Sequence, residues 1–415
     1  MDIDRSRLVE TMKEQAEIGA TEDGRGLDRL TLSDADREVR DWFREQLEAA
    51  GLAVRVDEMG NTFGRREGAD PDAATVLVGS HLDSQPSGGI YDGALGVVAA
   101  LEFVRTLDDE GIETERPVEV VNWTNEEGSR FQPAMMSSGV WAGEIPLEQA
   151  YETTDSDGTR FVDALEDIGY RGDVPAEPGY DYDSYLELHI EQGPYLDRED
   201  RDVGIVTGIT GIRWGEVTLH GQANHSGTTP MQYRSDALVA ASDVVTQVRR
   251  IPGTLGDQTV GTVGVVDVEP GSINIVPETV RFTFDFRDPD DAVADEAVER
   301  VKREVEAAAA REGVEWEYEE RMHTKGVHFA DRTVDAVREA VSELGYDGKE
   351  LFSGAGHDAT YAAHVCDTAM VFAVSEDGKS HTPEEYTSWD DCYAAANTLA
   401  NAALSLAGVA GGESS

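Results

Sequence analysis

The sequence predicts an α/β protein whose main domain is interrupted by a smaller α+β module, and three observations carry that prediction. Up to about residue 207, short apolar runs alternate with stretches whose apolar residues recur at helical spacing. Between 208 and 325 the order changes to βαββαβ, the pattern of a compact module with an antiparallel sheet. From about 326 to 407 the first pattern resumes, so the module reads as an insertion into the main domain. A chain of 415 residues also exceeds what one hydrophobic core organises.

Helical spacing covers residues 6–19 and 33–50, and the second stretch opens on Ser33, a capping residue. Residues 75–79 read as a short buried strand and 93–106 as the helix after it. The loop between them holds His81, Asp83 and Asp92, at the carboxyl end of a strand where open α/β sheets place their sites. Residues 118–123 form the next strand and run into Glu126 and Glu127. Adjacent side chains in extended backbone face opposite ways, so one carboxylate can hold a metal while the other points toward a reacting water. Over 185–193, Leu186, Leu188 and Ile190 alternate with Glu187, His189 and Glu191, which puts His189 on a polar face. The glycine-punctuated stretch 206–212 reads as a hinge.

In the inserted module the order is strand 213–221, helix 235–250, strands 259–269 and 279–288, helix 292–312 and strand 314–321. His225 falls in the loop after the first strand, and alternation sets Phe282, Phe284 and Phe286 on one face with Arg287 on the other. In the resumed domain the apolar run 369–374 leads to a turn-rich segment with His381. Small and polar residues over 408–415 predict a disordered tail.

Composition narrows the function. Apolar residues make up 40% of the chain, enough for two cores, and no stretch approaches the roughly 20 apolar residues of a membrane helix. The beginning Met1-Asp-Ile-Asp-Arg5 lacks a signal-peptide pattern, so a cytoplasmic protein is expected. Cys366 and Cys392 have no metal-ligand spacing and suit a reducing compartment as small buried groups. Eighty-four acidic residues against 34 basic give a formal charge of −50, dispersed along the chain. Self-repulsion on that scale is tolerable in concentrated salt, which predicts a halophilic protein from a haloarchaeal or similar cytoplasm. Nucleic acid and anionic membrane are poor partners for such a surface.

The histidines and carboxylates at the strand ends supply two imidazoles and a carboxylate for one divalent ion. A shared carboxylate, a second carboxylate and a third imidazole remain for another. Donors of this kind without thiolate suit zinc, manganese or cobalt. Two such ions support hydrolysis by an activated water, with a free carboxylate as general base.

From Thr31-Leu-Ser-Asp-Ala-Asp36 to His381-Thr-Pro-Glu-Glu385 the motifs resemble those of the dinuclear metal-dependent amidases related to the M20 peptidases. The similarity is to the hydantoinase/carbamoylase group, which includes N-carbamoyl-amino-acid hydrolases, β-ureidopropionases and allantoate amidohydrolases. The resemblance implies a zinc-exopeptidase-like catalytic domain, residues 1–207 and 326–407, and an inserted lid and dimerisation domain, 208–325, in a homodimer. It implies that His81, Asp92 and His189 hold one metal and that Asp92, Glu127 and His381 hold the other, with Asp92 bridging. Glu126 would be the general base, and Asp83 would orient the ring of His81. His225 would steady the oxyanion, Arg287 and Asn274 would grip the substrate carboxylate, His357 would contact the substrate, and Gln192 would bind the carbamoyl end. The implied reaction frees an amino acid, ammonia and carbon dioxide from an N-carbamoyl amino acid, a small ureido substrate. Asp83-Ser-Gln-Pro-Ser-Gly-Gly89 and the segment 130–143 look more like the carbamoyl-amino-acid and β-ureidopropionate hydrolases than the allantoate enzymes. Allantoate hydrolysis is the runner-up, and an N-acyl-amino-acid deacylase or dipeptidase using the same metals comes third.

Overall fold

The computed structural model describes residues 1–22 and 24–411. The chain forms two compact units, one made of Met1–Gly208 and the chain from His328 onward, the other of Ile209–Val327.

The first unit is built on a mixed sheet whose middle is parallel, in the order Val118–Trp123, Thr75–His81, Tyr182–Ile190 and Asp367–Ala373. Thr62–Arg66 and then Ala53–Val56 extend it antiparallel on one side, and Val203–Ile209 on the other. Every residue of Thr75–His81 and of Val118–Trp123 is buried, as expected of parallel strands covered on both faces. The same coverage corrects one expectation. Tyr182–Ile190 has no solvated face, because Ser184 through Ile190 are all buried and Glu187 lies in the interior with the leucines. Helices Arg5–Glu17 and Asp34–Ala49 are capped by Asp4 and Ser33, whose side chains accept from the amides of Ser6 and Arg7 and of Asp36. The end of the chain corrects another expectation, since Glu115 N donates to Gly408 O and Ala410 N to Glu113 O. Disorder therefore does not begin at 408, and residues 412–415 of the expected tail lie outside the described residues.

The second unit has an antiparallel sheet in the order Val266–Glu269, Thr279–Asp288, Gly211–His220 and Glu315–Thr324. Phe282, Phe284 and Phe286 alternate into a core closed by helices Ala237–Arg250 and Asp291–Glu312. The single strand expected over 259–269 is two strands, Val260–Thr262 and Val266–Glu269, both paired with Thr279–Asp288 at different places. A ribbon of Asn224–His225 against Ile275–Val276 was not legible, being too short to show a period. The stretch 206–212, expected as a hinge, is strand on either side of Thr210, in Val203–Ile209 and Gly211–His220, and the boundary between the two units falls within it.

Candidate metal centre

Two parallel strands end beside one another, and their last histidines meet a carboxylate from the loop before a helix. His81 closes Thr75–His81, His189 is the penultimate residue of Tyr182–Ile190, and Asp92 lies just before helix Ala94–Glu110. His189 Nε2 is 3.1 Å and His81 Nε2 3.5 Å from Asp92 Oδ1. The other ring nitrogens are engaged by carbonyls, His81 Nδ1 with Asp83 O and His189 Nδ1 with Ile190 O, both at 3.0 Å. A donating Nδ1–H leaves Nε2 as a lone pair aimed at the cluster. On the far side of Asp92, His381 Nε2 stands 3.5 Å from both Asp92 Oδ2 and Glu127 Oε2. The structure thus brings together His81, Asp92 and His189, and Asp92, Glu127 and His381, with ligand atoms of each trio within 4.8 Å of one another.

Local backbone explains the convergence. Gly93 has φ +64°, and a Cβ there would sit 2.4 Å from the ring of His81, so only glycine lets the Asp92 turn pass over that imidazole. Asn125, at φ +62°, turns the chain just before Glu126 and Glu127. Asparagine tolerates that region, and its Nδ2 donates to Phe131 O at 2.9 Å. The two glutamates thus lie in a bend beyond the strand Val118–Trp123 and not in extended chain, Glu127 Oε2 standing 3.5 Å from His381 Nε2. Glu126 Oε2 lies 3.5 Å from His81 Nε2, on the edge of the first trio.

Asp83 touches both His81 and the paired glutamates. Its carbonyl meets the ring, while its carboxylate accepts from the amides of Glu126 and Glu127, each at 3.3 Å, and stays 3.7 Å from Nδ1. It orients the paired glutamates more directly than the histidine. Gln192 Nε2 donates to Asp92 Oδ2 at 2.8 Å, and His357 packs its ring 4.4 Å from that of His189. In the second unit, His225 and Asn274 are neighbours, with Ser226 N donating to Asn274 O at 3.0 Å. Arg287 forks onto the carboxylate of Asp285, Nη2 to Oδ2 at 2.9 Å.

Four further residues escaped sequence reasoning. Gln85 hydrogen-bonds Glu127, and Ser380 Oγ donates to Asp92 Oδ2 at 2.9 Å. Glu385 Oε1 accepts from the amides of Tyr91 and Asp92, both at 3.1 Å. Glu187 Oε1 accepts from Ser80 Oγ at 2.8 Å beneath the cluster. All lie in segments already singled out for a neighbouring ligand, but nothing in their spacing assigns them a partner.

The electrostatics are those of charges crowded out of water. Burial raises the carboxyl of Glu126 well above the usual range; the His81 imidazole opposes this, and Asp358, Glu127 and Asp92 reinforce it. Burial and Asp92 do the same to Glu127. Burial would raise Asp92 too, but the imidazoles of His189 and His81 hold it well below the ordinary carboxylate range. His357 is driven the other way, kept neutral by burial and by the nearby His189.

The residues fit a divalent cation. His81 Nε2 is buried with no hydrogen-bond partner although it faces two carboxylates. Ligands about 2.0–2.2 Å from a tetrahedral ion stand about 3.3–3.6 Å from one another. The observed separations of 3.1 and 3.5 Å about Asp92 Oδ1 are close to that.

Residues 77–405 match the model of Peptidase family M20/M25/M40. The chain is 43% identical over 407 residues to the N-carbamoyl-L-amino-acid amidohydrolase of Rhizobium meliloti, covering 98% of this chain and 97% of that protein. It is 32% identical over 385 residues to the allantoate amidohydrolase of Bacillus subtilis, covering 92% of this chain and 93% of that one. The crystal structure of an amidase of the hydantoinase/carbamoylase family from Burkholderia multivorans matches with a TM-score of 0.95 at 47% identity, 98% of each chain being covered. Fold, site and sequence agree: the chain belongs to Peptidase family M20/M25/M40, among its hydantoinase/carbamoylase amidases.

Proposed function

We propose that this hydrolase removes the carbamoyl group from N-carbamoyl amino acids, giving the free amino acid, ammonia and carbon dioxide. One observation carries the reading: two trios of ligands share Asp92, and Glu126 stands beside them without belonging to either. The greater similarity to the carbamoyl-amino-acid enzyme than to the allantoate enzyme supports the choice of substrate.

His81, Asp92 and His189 would hold one divalent ion and Asp92, Glu127 and His381 a second, with zinc, manganese or cobalt suited to these donors. When bound, the ions polarise a carbonyl and lower the pKa of water. Glu126, whose Oε2 stands 3.5 Å from His81 Nε2 at the edge of the first trio, would take the proton from the attacking water and return it to the leaving nitrogen. Gln192 would bind the carbamoyl end, His357 would contact the substrate, Arg287 and Asn274 would grip the substrate carboxylate, and His225 would steady the developing oxyanion. Asp83 keeps Glu126 and Glu127 oriented through their amides.

The proposal extends to a cytoplasmic, salt-adapted homodimer with no nucleic-acid or membrane partner. The charge of −50 supports the salt adaptation, and no helix among the described residues is long and apolar enough to cross a membrane. Val260 and Val266 are exposed on strands of the second unit's sheet, a surface suited to a second copy.

Substitution of the paired glutamates tests the division of labour. Glu126→Gln is expected to keep its metal and lose about a hundredfold or more in turnover, and His225→Ala to keep its metal and lose turnover likewise. Glu127→Gln is expected to lose metal. Elemental analysis showing Glu126→Gln depleted and Glu127→Gln replete would reverse the roles.

A further inference from the structure

The two trios are not built alike. In the first, both histidines are buried and each Nδ1 is engaged by a backbone carbonyl. In the second, His381 is half exposed, and Glu127 is gripped by a neighbour that the proposed reaction does not use. The backbone N–H of Gln85 donates to Glu127 Oε1 at 3.0 Å, and its side-chain Nε2 donates to Oε2 at 2.8 Å. The same Oε2 faces His381 Nε2 at 3.5 Å. A carboxylate oxygen has two lone-pair directions, so the amide of Gln85 fills one and leaves the other toward the imidazole. Gln85 is itself fixed, since its carbonyl accepts from Ser84 Oγ at 3.0 Å and from Gly88 N at 3.1 Å.

We propose that Gln85 is a positioning residue for the second ion. Its amide sets the plane of the Glu127 carboxylate and aims the free lone pair of Oε2 at the space shared with Asp92 and His381. The inference rests on the metal-dependent reading above and deepens it by assigning to one side chain the affinity of one of two sites. Outer-shell partners of a metal ligand typically contribute about 10–100-fold in affinity. Because Gln85 touches Glu127, that contribution falls on the second trio alone.

The test titrates Mn²⁺ into the full-length chain after chelator treatment, in molar potassium chloride, with free ion read by electron paramagnetic resonance. Gln85→Met keeps the side-chain length and the backbone N–H while removing the amide donor, and Gln85→Leu is a second variant. Wild type is expected to show two classes of site. Both variants are expected to weaken the weaker class by about 10–100-fold, with the tighter class and the thermal midpoint of the metal-free protein unchanged. In a Glu127→Gln background, Gln85→Met is expected to change nothing further, an outcome that a general packing role would not give. Two classes unaltered by Gln85→Met, or both weakened equally with a lower midpoint, would overturn the inference alone. A wild type that takes up no Mn²⁺ would overturn the metal-dependent reading and this inference with it.

Discussion

Glu385 shows how much of a candidate metal site can rest on a residue outside both trios of donors. Its carboxylate is buried, and burial together with the Asp92 carboxylate pushes its pKa up to about 8. One oxygen accepts from the amides of Tyr91 and Asp92, while the other lies 3.2 Å from Ser380 Oγ, which donates to Asp92. Gly89 passes so close that a Cβ there would fall 1.9 Å from Oε1. This contact staples the Asp92 turn to the segment bearing His381, two candidate ligands far apart in sequence. Removing the acceptor strands two buried N–H groups, at about 1–3 kcal/mol each. Glu385→Ala is therefore expected to lower the thermal midpoint and to lose about 10–100-fold in metal affinity, whereas Glu385→Gln, which keeps an acceptor oxygen, retains most of both. Full metal retention after dialysis of Glu385→Ala would contradict the role. The two trios of donors were legible because histidines and carboxylates at strand ends are chemically specific. Glu385, Ser380 and Gln85 were not, because their meaning is a distance between loops that only the folded chain defines.

At the scale of elements, periodicity was informative where one face is buried and misleading where two are. Thr279–Asp288 reads as an alternating strand and is one, with three phenylalanines in the core. Tyr182–Ile190 alternates just as strictly, yet it lies between parallel neighbours and is buried on both sides. Its polar residues are inside because they are used: Glu187 by Ser80 Oγ and the amide of Ala359, His189 by Asp92. Glycine was also ambiguous as punctuation. At 206–212 it lies within strands, whereas Gly93 admits a left-handed turn over an imidazole. Glu126 and Glu127 were expected in extended chain, but they follow a left-handed turn at Asn125 and lie in a bend.

At the scale of the molecule, the formal charge of −50 is the dominant electrostatic fact. Ions at molar concentration reduce the screening length to about 3 Å, shorter than the spacing of most surface carboxylates. For a chain of this size about 1 kcal/mol shifts a melting temperature by roughly 1 °C, so relief of about 10 kcal/mol of repulsion is expected to raise the thermal midpoint by about 10 °C between 0.1 and 3 molar potassium chloride, roughly tracking loss of screening length. A midpoint independent of salt would remove the case for salt adaptation. The fold, its interruption by a second module and the ligand-bearing strand ends were all visible in the chain, whereas the choice among ureido substrates turns on a few side chains. Ammonia release addresses that choice directly. The full-length protein, reconstituted with manganese, zinc or cobalt in high salt, is given N-carbamoyl α- and β-amino acids and allantoate, with N-acetyl amino acids followed by release of the amino acid. The account predicts metal-dependent turnover of an N-carbamoyl amino acid above all others, abolished by chelation. Preferential turnover of allantoate or an N-acetyl amino acid, or ammonia release indifferent to chelation, would contradict it.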